Sequence, residues 1–256
     1  YADKFRILAE RYTKLYADLR LELITARTNL VQFSAHRIPV VSFLEAPLAS
    51  CALGLNPLLS GLLIPAGETN RRYRLNTNGP LTPHHFATES FETQSSGSAF
   101  VRMQKVDAIS RWAPAQKNLR VCFGFASKES SENCSRCSKC MRTRMDLHLL
   151  GRLDRMETFK RSFSLSDYLR WGRWLEIGHE WEKDILRYCW KNRPGLLPAA
   201  LAGITIGFAR HYLKLVLPRR IKHWVYRFTA ESDPHKMHEA GRSPVRTAHL
   251  EEQEPS

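Results

Sequence analysis

LRVCF (residues 119–123), followed after a polar linker by NCSRCSKCMRTRMDLHLLGRL (residues 133–153), carries four of the six cysteines of this 256-residue chain. Eleven residues separate Cys122 from Cys134, and the CxxCxxC run places Cys134, Cys137 and Cys140 on one tight turn. Four soft thiolates at this spacing suit tetrahedral zinc first, an iron–sulfur cluster second and unligated thiols last. With all four positions filled by protein no site stays open for water, so the metal is expected to build structure rather than perform catalysis. Arg136, Lys139, Arg142 and Arg144 surround the turn in sequence and are expected to offset the thiolate charge and lower the thiol pKa. The other two cysteines, Cys51 within PLASCALGL and Cys189 between Tyr188 and Trp190, read as small core residues.

Upstream of the cysteines the pattern alternates between helix and strand. Phe5, Leu8, Tyr12, Leu15, Tyr16 and Leu19 recur at helical spacing, which predicts a helix over 4–20. LELITART (21–28) alternates and reads as a strand that delivers Thr28 and Asn29 to its carboxyl end. Beyond a loop containing Pro39, PLASCALGL (47–55) suits a short buried helix, and GLLI (61–64) a strand closed by Pro65 and Gly67. Residues 66–100 are polar, hold Asn78-Gly79-Pro80-Leu81 and the His84-His85 pair, and read as one long irregular segment, of a length that is often functional. A helix over 99–112, a strand over 118–123 ending at the first cysteine, and a helix starting on Cys140 complete the expectation. Helices alternating with short apolar strands favour an α/β domain with a parallel sheet.

Downstream of the turn, residues from Leu165 read as helices rich in Trp and Arg, and residues after Glu231 as a disordered polar tail. The expected division is thus an α/β domain over 1–160 with its metal turn at 122–140, a basic helical region over 161–230 and a tail over 231–256. The formal charge is +14, and between Lys160 and Arg227 fourteen Lys or Arg face five Asp or Glu. Such a field attracts anions: nucleotides, nucleic acid, anionic glycans or phospholipid headgroups. The stretch 208–228 interleaves aromatics with six basic residues and no acid, so contact with an anionic membrane or RNA through 195–228 is one expectation. A solvated helical appendage is the plainer one.

Six cysteines are too few for a disulfide scaffold in a chain of this length, which favours a reducing, cytoplasmic compartment. The near-apolar run 195–208, interrupted by Pro198, Gly203 and Gly207, reads as too short to span a bilayer, leaving peripheral contact as the membrane expectation. No Walker-type loop, GxGxxG, HExxH or GxSxG motif occurs, and His84-His85 reads as part of a polar loop.

The strand carrying one cysteine, the CxxCxxC turn and the helix with Arg142-Thr143 resemble a bacterial family of PP-loop, or adenine nucleotide alpha-hydrolase-like, proteins related to 7-cyano-7-deazaguanine synthase. The resemblance extends upstream to RTNL (27–30), LLIPAG (62–67), NGPLTP (78–83) and RMQK (102–105), covering about residues 3–160. It implies a Rossmann-like (HUP/PP-loop) parallel sheet and an enzyme that uses ATP and magnesium to activate an oxygen as an adenylate, releasing pyrophosphate. The family's Ser-Gly-Gly-x-Asp-Ser phosphate loop is missing, so the expectation is an N-terminally truncated domain, inactive as it stands. The resemblance makes Thr28, Asn29, Arg102 and Lys105 the candidates for substrate or nucleotide contact. His84-His85-Phe86 stands where the family has an acidic, tryptophan-containing pattern. The expected function is an ATP-dependent adenylating or amide-forming enzyme acting on a small molecule or glycan precursor. The alternative is a non-catalytic, zinc-stabilised module that binds RNA or another polyanion.

Overall fold

A computed structural model describes residues 2–29, 45–67, 69–70, 81–122, 132–160, 162–175 and 180–216. The protein is mixed α/β and forms two compact units, 1–117 and 118–256. The expected loop at Pro39, the turn at Asn78 and the tail after Glu231 lie outside the described residues.

The first unit opens with α1 (Ala2–Asp18), the helix expected from its apolar spacing. Then come α2 (Glu45–Leu53), β1 (Gly61–Pro65), β2 (Glu92–Ser96), α3 (Arg102–Ser110) and α4 (Ala113–Asn118). β1 and β2 pair in parallel, with Gly61 opposite Glu92 and Pro65 opposite Ser96. Among the described residues the expected parallel sheet is present as a two-stranded one. β2 lies inside the segment 66–100 that the sequence reads as irregular, and a 3₁₀ turn at Pro83–Phe86 lies there too. ETQSS is legible as a strand only through its neighbour: Thr93 is buried while Glu92 and Gln94 face out. The strand expected over 21–28 does not form. Residues 21–29 run irregularly after α1, with Leu21 and Ile24 exposed, because alternation alone makes no strand without a ladder partner.

Among its described residues the second unit contains the cysteine turn and four α-helices: α5 (Ser138–Leu149), α6 (Leu165–Gly172), α7 (Glu180–Asn192) and α8 (Leu197–Val216). The strand expected over 118–123 is not one in its described part. Asn118 ends α4, and 119–122 pairs with a side chain instead of a ladder, as shown below. α5 supplies the centre of the core, with Met141, Met145, Leu147 and Leu149 fully buried. α6 packs on α5, and α8 on both α6 and α7. Trp171 and Cys189 are fully buried, so Cys189 is the core residue its neighbours suggest, whereas Cys51 is only half-buried.

α8 corrects the reading of 195–208. Gly203 and Gly207 do not interrupt the helix, which continues to Val216, and Pro194–Leu213 is long and apolar enough to cross a membrane by length and composition. The glycines serve the crossing with α6. A Cβ on Gly172 would land on the Gly203 carbonyl, and one on Gly203 would come 2.7 Å from the Tyr168 carbonyl and 2.9 Å from the Trp171 ring. Backbone and a buried indole cannot give way cheaply. Gly203→Val is expected to destabilise the second unit by about 3 kcal/mol, read as a lower melting temperature.

Candidate metal centre

The four cysteines come together as their spacing implies. Their sulfurs all lie within 4.8 Å of one another, with Cys122–Cys137 at 3.7 Å and Cys134–Cys140 at 3.8 Å. Zinc–sulfur bonds of about 2.3 Å put the corners of a tetrahedron about 3.8 Å apart, so the set fits one four-coordinate ion. An iron–sulfur cluster shares its thiolates among several irons and holds those on different irons farther apart than a single ion does. Among the described residues this is the one group of three or more His, Cys, Asp or Glu that can hold a metal ion.

Local structure explains how each ligand arrives. Ser135 adopts the left-handed conformation at φ 57°, which turns the chain between Cys134 and Cys137. The Cys137 N–H donates to the Cys134 sulfur at 3.3 Å, a charge-assisted bond once that sulfur is a thiolate. Cys137 is the N-cap of α5 and Cys140 sits in its first turn, where the positive end of the helix favours negative sulfur.

The fourth ligand is held by a residue the sequence does not advertise. Asn133, buried, accepts from the Val121 N–H at 2.9 Å and the Cys122 N–H at 3.1 Å through one amide oxygen. Its amide nitrogen donates to the Leu119 carbonyl at 2.9 Å and to Thr158 Oγ1 at 3.2 Å. One side chain thus does for residues 119–122 what a neighbouring strand does in a sheet, and brings Cys122 to the turn. Its position directly before Cys134 is the only sequence signal. Asn133→Ala strands these backbone groups in a buried place and is expected to cost about 3 kcal/mol with weaker metal retention; a chelator-competition titration and a melting curve check both.

The basic residues divide differently from the expectation that all four offset thiolate charge. Arg144, 1% exposed, donates to the carbonyls of Ser135, Lys160 and Ser162 and pairs with Asp167 at 3.3 Å. Arg142 lies over the Trp181 ring at 4.8 Å, and Arg136 is exposed. Lys139 has its pKa lowered, chiefly by burial, while the Cys137 charge opposes that. Burial resists ionisation of Asp167, but the Ser164 N–H and Arg144 outweigh it and hold its pKa below the usual value.

The bare thiols compete for protons. For Cys122, the hydrogen bond with Cys134 pushes the pKa up but those with Cys137 and Cys140 prevail, bringing it to about 6. Hydrogen bonds with Cys122, Cys137 and Cys140 hold Cys134 far below the ordinary thiol value. Those with Cys122 and Cys134 push Cys137 up, and Cys140 is raised by all three of its neighbours. Four thiolates this close need a cation among them before all can be charged.

The other candidates lie in the first unit. Thr28 and Asn29 are exposed at the end of the irregular stretch after α1, not at a strand end. Arg102 and Lys105 share the first turn of α3; Arg102 is exposed, and Lys105 donates from Nζ to the Ala66 carbonyl at 3.0 Å. Lys105 therefore sits where both parallel strands end, beside Gly97, while Thr28 and Asn29 are not brought into that place by any described contact. His84 and His85 are exposed, with ring centroids 4.0 Å apart. Among the described residues the cysteine set is the one cluster of three or more metal-ligating side chains. Comparison with known proteins finds no matching family model, no similar curated protein and no similar solved structure.

Proposed function

We propose that the cysteine centre holds structural zinc and that the chain is the zinc-stabilised portion of an ATP-dependent adenylating or amide-forming enzyme of the PP-loop class, acting on a small molecule or glycan precursor. Zinc bound by four thiolates supplies folding energy and leaves no position for substrate. The spacing of the sulfurs as the edges of a single tetrahedron supports that part.

The observation that carries the enzymatic part is the junction at the carboxyl ends of β1 and β2. Open parallel sheets bind ligands there, and there the Ala66 carbonyl, Gly97 and Lys105 meet, with the exposed Arg102 in the same first turn of α3. Two basic side chains at such a place favour a phosphate or carboxylate. Parallel sheets are ordinarily covered on both faces, yet Leu63 on β1 stays 67% exposed. On this reading further strands, and with them the Ser-Gly-Gly-x-Asp-Ser loop, come from sequence ahead of Tyr1.

The test is to read the coding sequence ahead of Tyr1, in frame, for a strand running into that loop, and to measure ATP-dependent pyrophosphate release by the protein carrying it. Arg102→Ala is expected to lower release by about a hundredfold with unchanged melting, since Arg102 is exposed. A start codon close ahead of Tyr1, or release indifferent to Arg102, contradicts the enzymatic reading.

A further inference from the structure

Helix α8 has two sides with different surroundings. Ala200, Gly203, Ile204 and Gly207 are buried and form the side that α6 crosses. Leu201, Phe208, Tyr212 and Val216 recur at helical spacing on the other side and, with Leu213, are between 44% and 80% exposed. A helix apolar on both sides belongs in a core or at a membrane, and among the described residues only one side of α8 has a core. Within Pro194–Leu213 only Ala200, Gly203, Ile204 and Gly207 are buried. Apolar residues scattered singly over a surface need no explanation, but a continuous stripe along one helix marks a contact site.

Charge identifies the occupant. From residue 185 to residue 230 the sequence holds nine Lys or Arg and no Asp or Glu, so the exposed stripe lies within an acid-free, basic stretch. Self-association through the stripe would set two such stretches against each other, which like charge opposes. An anionic lipid surface satisfies both features: its acyl boundary takes the apolar stripe and its headgroups take the basic residues.

We propose that α8 lies flat in the surface of an anionic bilayer, with Leu201, Phe208, Tyr212, Leu213 and Val216 inserted. It does not cross. Its other side is fastened to α6 by the glycine contacts, and Arg210 donates to the Arg173 carbonyl at the end of α6. Crossing would carry Asp167, Arg170 and Arg173 into hydrocarbon. This contact is independent of the reading of the first unit as part of an ATP-using enzyme.

Co-sedimentation of the zinc-loaded chain with vesicles tests it, using phosphatidylcholine alone and phosphatidylcholine mixed with an equal part of phosphatidylglycerol. The chain is expected to pellet with the mixed vesicles, less with the neutral ones, and less as salt rises. Phe208→Glu combined with Leu213→Glu is expected to lower vesicle binding by about tenfold or more. Zinc content and the melting temperature should hold, because both side chains are exposed. No pelleting, pelleting unchanged in the double variant, or binding of RNA in place of vesicles each overturns the proposal. Vesicle-bound chain that resists extraction by alkaline carbonate overturns the flat placement.

Discussion

Cys137→Ser is expected to abolish stoichiometric metal retention and unfold the second unit around residues 119–160. Cys137 is fully buried, caps α5, and contributes both a sulfur and the N–H that bonds to Cys134. Serine keeps the backbone and the hydrogen bond but offers a hard, protonated oxygen where a thiolate is needed. In sites of this kind metal binding is folding energy, on the order of 10 kcal/mol near neutral pH. Circular dichroism melting with and without chelator checks the point: the wild-type chain should lose its upper transition on chelation, and the variant should lack it from the start. A variant with full metal content and unchanged melting contradicts the four-thiolate assignment.

The second large effect is expected at Arg144. Its guanidinium joins the Ser135 carbonyl of the metal turn to the carbonyls of Lys160 and Ser162 and to Asp167 at the start of α6. Arg144→Leu fills most of the volume but leaves those acceptors unpaired and a buried carboxylate without its closest cation; Asp167 would keep its hydrogen bonds from Ser164 and, as its cation, the slightly longer contact to the part-exposed Arg170. Breaking a buried pair from one side costs about 3–5 kcal/mol. Arg144→Lys is expected to recover only part of it, since one ammonium cannot reach acceptors arranged around a planar fork. Replacing Arg144 and Asp167 together by apolar residues should cost less than Arg144→Leu alone, because the orphaned charge is removed as well. Urea melts of the three variants give the ordering, and equal stability of Arg144→Leu and wild type would contradict the role.

How far these features were legible follows from the kind of signal each one leaves. Helix α1 shows its apolar period in the sequence, and the structure has it within a few residues of the expected 4–20; the region from Leu165 is helical as expected, with no bounds read for its separate helices. The thiol spacing made the metal site legible because ligand geometry is local to one turn plus one incoming segment. β2 was hidden because Glu92, Gln94 and Ser96 have no apolar pattern, and its pairing partner is distant in sequence. The stretch 119–122 looked like a strand because Leu119, Val121, Cys122 and the following Phe123 are apolar, but its hydrogen bonds go to Asn133. Arg144 was read as one of four charges near the cysteines; only its burial separates it from Arg136, which is exposed. α8 was cut short in the sequence reading because Gly203 and Gly207 look like breakers until their contact with α6 is seen.

The central claim is that one ion, bound by Cys122, Cys134, Cys137 and Cys140, holds the second unit together. X-ray absorption at the zinc edge on purified chain, with elemental analysis of the same sample, tests it most directly. The account predicts one zinc per chain surrounded by four sulfurs at about 2.3 Å and no nitrogen or oxygen in the coordination shell. Iron in place of zinc, a shell with fewer than four sulfurs, or a folded chain holding no metal would contradict it.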